Sequence, residues 1–194
     1  MKSNFTGFIL IGGKSSRMGA DKFTLELNGK TFLERAVETL SKNCESVKMV
    51  LNQTQNIETN LEIVRDVYTE RGALGGIHAA LKNCETKFAI ILAVDLPFVS
   101  TEAIEKIAEF ALNTNKFVAF VPRQTDERAQ PLCAVYRANY CLPTLEKLLE
   151  ETDSASVKDF LELIYPKYID QNCLSDDENL LHNVNYQADL TSFS

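Results

Sequence analysis

Apolar residues along this chain fall into two alternating patterns. Short apolar runs at Phe8–Ile11, Val47–Leu51, Ile63–Val64, Phe88–Val94 and Phe117–Val121, interrupted only by Lys48, have strand length and are rich in Val, Ile and Phe. Runs of that kind are expected of strands covered on both faces. Between them lie segments of helical period. Phe32–Ser41 places Phe32, Leu33, Ala36, Val37 and Leu40 on one face, and Leu74–Leu81 and Ile104–Leu112 behave similarly, with Thr101 and Glu102 as start signals for the latter. Leu132–Tyr136 predicts a further strand opening a more irregular half, followed by helices over Leu142–Glu150 and Val157–Leu163, and Ser175–Glu178 predicts a solvated loop. Strand–helix–strand alternation implies right-handed crossovers and a mainly parallel sheet with helices on both faces. No repeat, low-complexity tract or proline-rich linker divides the 194 residues. The expectation is one α/β domain over 1–194, with the last ~50 residues appended to it.

Composition is that of a globular protein, with 45% hydrophobic and 24% charged residues. Charge adds position to the picture. The net charge is −7, but residues 146–194 hold 11 acidic and 3 basic side chains, so residues 1–145 sum to +1 and the first 35 residues to +3. A broad nucleic-acid or anionic-membrane surface is not expected from this balance. A small anionic ligand near the N-terminal third is compatible with it. The five cysteines at 44, 84, 133, 141 and 173 form no C-x-x-C and match no zinc or haem spacing. Free thiols in a reducing cytoplasm are expected. The opening MKSNFTGFILIGGK has no signal-peptide pattern, and Phe88–Val94, the longest apolar run, is too short to span a bilayer.

In open α/β sheets ligands bind outside the carboxyl ends of the strands. That rule directs attention to Gly12–Lys22, Asn52, Asp66 and Asp95. Residues 10–22 read LIGGKSSRMGADK. Glycines directly after a strand, followed by Lys14, Arg17 and Lys22 and by the hydroxyls of Ser15 and Ser16, can make a phosphate cradle. The same residues can also make a glycine-rich turn with solvated charges. A dinucleotide fingerprint is excluded because the chain has no G-x-G. A P-loop is excluded because Phe8, not glycine, stands five residues before Gly13-Lys14-Ser15. Asp95, at the end of a strand buried on both faces, is costly unless it meets a cation or several donors. It could take Mg²⁺ together with phosphate oxygens, or cap the helix beginning near Thr101. Asp66 can be a ligand or a loop cap, and Asn52 is equally open. Gly72, Gly75 and Gly76 in RGALGGI allow close backbone approach, or simply make a turn. His78, in an apolar helix, is read as structural, and the role of His182 stays open.

Taken together, these residues resemble the molybdenum cofactor guanylyltransferases, the molybdopterin-guanine dinucleotide biosynthesis protein A family. Its opening signature L-A-G-G-x-S-x-R-M-G-x-D-K appears from Leu10 to Lys22 with Ile11 in place of Ala. Leu27-Asn28-Gly29-Lys30, Asn52, Asp66 and Asp95-Leu96-Pro97 also fit the family pattern, as do Gln130-Pro131-Leu132 and Asn183-Val184-Asn185. GALGGI at 72–77 resembles the usual G-P-L-A-G-I, with Ala73 and Gly75 as departures that are expected to leave the charged chemistry untouched. The resemblance implies a three-layer Rossmann-like nucleotidyltransferase fold with a nucleotide-binding half (1–121) and an acceptor half (122–194). It implies transfer of GMP from GTP to molybdopterin-bound molybdenum cofactor, with release of pyrophosphate and with Mg²⁺ as cofactor. Leu10, Ile11 and Gly12 would line the guanine pocket with backbone groups. Gly13, Arg17 and Lys22 would hold the triphosphate, with Arg17, Lys22 and Asp95 as the catalytic set. Asn52 and Asp66 would contact the nucleoside, Asp95 would carry the metal, and Asn183 and Asn185 would lie on the molybdopterin side. Further implied partners are acceptor molybdoenzymes or cofactor-delivery proteins, for a cytoplasmic monomer or weak oligomer.

Three alternatives stand beside this reading. Cytidylyltransferases of the same cofactor tend to carry L-A-A-G where this chain has LIGG, and Gly12 leaves more room for the larger guanine ring. Sugar-1-phosphate nucleotidyltransferases share the glycine-rich loop but are usually longer. A non-catalytic GTP- or molybdopterin-binding accessory protein would have no need of a Mg²⁺ carboxylate such as Asp95.

Overall fold

The computed structural model describes residues 1–11, 22–68 and 70–185. A sheet of seven strands forms the middle layer. β1 (Phe5–Leu10) is flanked by β4 (Ser46–Leu51) and β6 (Phe88–Ala93), with β5 (Glu62–Arg65) beyond β4. On the other side, β8 (Cys133–Arg137), β7 (Ala119–Arg123) and β9 (Lys167–Asp170) complete the order β5-β4-β1-β6-β8-β7-β9. Only β8 runs against its neighbours, so the ladder is mainly parallel, as the apolar runs predict. All six residues of β1 and all six of β6 are buried. Helices α1 (Phe32–Ser41) and α3 (Thr101–Asn113) cover one face. Helices α2 (Ala73–Lys82), α4 (Ala138–Glu151) and α5 (Val157–Ile164) cover the other.

Several boundaries differ from the sequence pattern for identifiable reasons. β1 starts at Phe5, because Gly7 lets α1 and the following turn lie against the strand. A Cβ there would come within 2.9 Å of Cys44 Sγ and 3.2 Å of Leu40 Cβ. α3 is capped by Ser100, whose side chain accepts from Ala103 N–H, and not by Thr101, which is its first residue. α4 begins at Ala138, directly after β8, and carries Pro143 inside it. Two elements lack an apolar run and so escape the pattern. One is β9; the other is a small antiparallel pair, β2 (Glu26–Leu27) and β3 (Lys30–Thr31). Asn28 and Gly29 join that pair at φ 55° and 76°, the left-handed conformation an Asn-Gly hairpin turn uses. α1 then opens on a capping box in which Thr31 and Glu34 satisfy one another's backbone N–H groups.

The chain passes from β1 to β4 and β5 on one side and returns to β6 on the other. Strand order therefore reverses at β1/β6, and the crevice between their carboxyl ends is the position where such sheets bind ligands. After β9 the chain crosses back over this edge. Leu180, Leu181 and Val184 are buried there, and Val184 N–H donates to Asp95 C=O at 2.8 Å. The last stretch before 185 is thus part of the crevice wall.

Candidate active site

The crevice over β1 and β6 brings together four side chains from three separate parts of the chain. Asp95 follows β6 and is positioned by the turn in which Leu96 N–H donates to Ala93 C=O. Lys22 reaches it across the crevice, with Nζ 3.3 Å from Asp95 Oδ2 and 2.6 Å from Asn185 Oδ1. The other carboxylate oxygen is held by Asn183, whose Nδ2 donates to Asp95 Oδ1 at 3.1 Å. Asn183 and Asn185, expected on the molybdopterin side, are therefore the direct partners of Asp95 and Lys22. Gly12, Gly13 and Arg17, together with Lys14, Ser15 and Ser16, lie outside the described residues.

The nucleoside-side candidates flank this cluster along the same edge. Leu10 and Ile11 are buried at the end of β1. Leu10 C=O accepts from Val94 N–H, and Ile11 N–H donates to Val50 C=O, both at 3.1 Å. Of the backbone groups expected to face a base, these two are engaged in the sheet. Asn52 closes the turn after β4: its Oδ1 accepts from Thr54 N–H, Thr54 Oγ1 and Gln55 N–H. Asp66 is tied to the same edge by its N–H, which donates to Leu51 C=O. Its carboxylate turns inward, and Oδ1 accepts from Tyr68 N–H at 2.7 Å. Burial pushes the Asp66 carboxyl above its ordinary value, opposed by the Tyr68 hydrogen bond and by nearby His78.

The glycines of RGALGGI explain this burial. A Cβ on Gly75 would stand 2.4 and 2.5 Å from the two Asp66 carboxylate oxygens and 2.7 Å from Tyr68 C=O. Position 75 therefore lies directly against the Asp66 carboxylate. Gly76 admits the end of β1, since its Cβ would meet Leu10 Cδ2 at 2.9 Å. His78 takes the structural role expected of it, buried with its ring edge-on to Tyr68 and Nε2 3.4 Å from Glu146 Oε1.

Two glutamines to which the sequence pattern gives no role also contribute. Gln130 Nε2 donates to Asn183 Oδ1 at 3.0 Å, and Gln124 Nε2 donates to Leu181 C=O at 2.7 Å. Both come from the β7–β8 connection. Their contribution depends on a contact with a segment more than 50 positions away, which no local pattern announces.

The site is thus a lysine and an aspartate meeting over the central crevice of a mainly parallel sheet covered by helices on both faces. Residues 7–167 match the family of MobA-like NTP transferase domains. A protein of Geobacillus sp. (strain WCH70) named "Probable molybdenum cofactor guanylyltransferase" is 31% identical over 189 residues, 94% of each chain. One of the same name from Pelotomaculum thermopropionicum is 32% identical, covering 95% of this chain and 89% of its own. The crystal structure of molybdopterin-guanine dinucleotide biosynthesis protein A from Archaeoglobus fulgidus superimposes with a TM-score of 0.79 at 24% identity, over 96% of this chain and 95% of that one. The chain belongs to the MobA-like NTP transferase family, among its molybdenum cofactor guanylyltransferases, and is an enzyme of nucleotidyltransferase type.

Proposed function

We propose that this protein transfers GMP from GTP to molybdopterin-bound molybdenum cofactor, giving the guanine dinucleotide form and pyrophosphate. The observation that carries the proposal is the convergence of Lys22, Asp95, Asn183 and Asn185 over the β1/β6 crevice. The names of the relatives supply the base and the acceptor. Gly12, Gly13 and Arg17 are assigned to the nucleotide on the sequence match, as are Leu10, Ile11, Asn52 and Asp66.

Mg²⁺ fits the donor set. Among the described residues no group of three or more His, Cys, Asp or Glu could enclose a metal. Mg²⁺ commonly takes one or two carboxylates and completes its shell with phosphate oxygens and water. Asp95 Oδ2 and Asn185 Oδ1 already converge on one cation, the Lys22 ammonium. Asp95 would hold the metal, which when bound supplies charge neutralisation to the phosphates. The chain's own groups do the remaining work. The attacking terminal phosphate of molybdopterin is already anionic, so no general base is required. The obstacles are repulsion between like charges and the charge that grows on departing pyrophosphate. Lys22 and Arg17 would offset both, and the sheet edge would hold the reactants in line. Among the described residues no helix is long and apolar enough to cross a membrane. We place the protein in the cytoplasm, as a monomer or weak oligomer that passes its product to acceptor molybdoenzymes or delivery proteins.

Pyrophosphate release tests the reading. It should require GTP, Mg²⁺ and molybdenum cofactor together. Release that does not depend on the cofactor would contradict the assigned acceptor.

A further inference from the structure

Gln130 is held rigidly by main-chain bonds. Its N–H donates to Pro122 C=O on β7, and its C=O accepts from Cys133 N–H at the start of β8. From this frame its side-chain Nε2 donates to Leu181 C=O at 3.4 Å and to Asn183 Oδ1 at 3.0 Å. A peptide carbonyl can only accept, so Leu181 fixes which end of the Gln130 amide faces the crevice. Asn183 must then present its oxygen to Gln130, which turns its NH₂ toward Asp95. A carboxylate can only accept as well, and Asn183 Nδ2 donates to Asp95 Oδ1 at 3.1 Å. The relay is consistent from both ends and admits one orientation of each amide. Its outcome is that Oδ1 is occupied by a neutral donor, while Oδ2 is the oxygen that faces the Lys22 ammonium.

We propose that Gln130 is a positioning residue for Asp95: through the Asn183 amide it decides which carboxylate oxygen is presented to a cation. The proposal rests on the reading that Asp95 holds the metal in the nucleotidyl transfer. Outer partners that orient a metal ligand are commonly worth 10–100-fold in metal affinity or activity. Reversing the polarity of Gln130 should therefore be worse than removing it.

The test is a Mg²⁺ titration of Gln130→Glu and Gln130→Ala, with Asp95→Asn alongside, read both as Mg²⁺ binding to the GTP-loaded protein by calorimetry and as turnover. Glutamate has nearly the same shape but presents an acceptor to Asn183 and to Leu181 C=O. It favours the flipped Asn183 amide, whose oxygen repels Asp95. The expected result is a Mg²⁺ requirement raised on the order of tenfold in Gln130→Glu and less in Gln130→Ala, with KM for GTP little changed. A residue that served only packing would give the opposite order, because Glu fills the same volume. Should Gln130→Glu not fold, the Gln130→Ala titration alone carries the test. An unchanged Mg²⁺ requirement in the Gln130 variants, with Asp95→Asn inactive, overturns the role of Gln130 and leaves that of Asp95. Wild-type turnover in Asp95→Asn removes the metal reading, and the role of Gln130 falls with it.

Discussion

Lys22 and Asp95 are 73 positions apart in the chain, yet their charged atoms meet at 3.3 Å, with side chains 18% and 20% exposed. That exposure is intermediate. A pair in open solvent contributes little and restrains neither partner, and a fully buried one resists opening once formed. At this depth, on the crevice where the sheet order reverses, the pair can be exchanged by an anionic substrate. In the proposed reaction, phosphate would take Lys22 while the metal would take its place on Asp95.

Removing either partner should separate binding from chemistry. Lys22→Ala is expected to weaken GTP binding measured by calorimetry. Asp95→Ala should abolish Mg²⁺-dependent pyrophosphate release while the protein stays folded. Unchanged GTP affinity in Lys22→Ala would remove that residue from the phosphate site, and wild-type turnover in Asp95→Ala would remove the metal assignment.

Asp66 carries a pH signature. Its carboxyl is raised above the ordinary 3.8 by burial, so the folded state favours the protonated form. Stability from that preference is complete below the unfolded value and is lost as pH rises through the higher folded value. Asp66→Asn cannot ionise. Its melting temperature should therefore gain on wild type as pH rises from about 4 to 7, while its affinity for GTP falls. A gap in melting temperature that does not change with pH would contradict the burial argument.

Gly75→Ala places a methyl group against the Asp66 carboxylate and the Tyr68 carbonyl. Overpacking of this kind costs about 1–3 kcal/mol. The combination Gly75→Ala/Asp66→Asn should not be additive, since both changes act at the same contact. Additive melting data would show that Gly75 acts elsewhere.

Arg71 ties the turn before α2 to the end of α4. Its guanidinium donates to the carbonyls of Leu149, Thr152 and Asp153 and to the Asp153 carboxylate. A cation on the last carbonyls of a helix satisfies groups that have no partner within the helix. Arg71→Ala should cost about 1–3 kcal/mol in denaturant unfolding and leave the Mg²⁺ requirement unchanged. A change in that requirement would mean that Arg71 also serves the site.

Much of this was legible in the sequence, for physical reasons. Strands buried on both faces are mostly apolar, so β1, β4 and β6 stand out in the sequence despite Thr6 in β1 and the buried Lys48 in β4, and the residues after them mark the crevice edge. β9 did not, because its sequence Lys-Tyr-Ile-Asp buries only Ile169. Asp95 was conspicuous as a charge ending an apolar run. The orientation of its carboxylate was not, because it is set by Asn183 and Gln130, which only the folded chain brings near. Gly75 shows the same limit: its spacing from Asp66 exists in space and not along the chain.

The central claim, guanylyl transfer to the molybdenum cofactor, is tested most directly by identifying the product. The protein would be incubated with molybdenum-loaded molybdopterin and Mg²⁺, with GTP or CTP in parallel, and the cofactor analysed by mass spectrometry. A guanine dinucleotide is expected with GTP and little product with CTP. Equal incorporation of CTP would contradict the base assignment, and bound nucleotide with no incorporation of either would contradict the transfer itself.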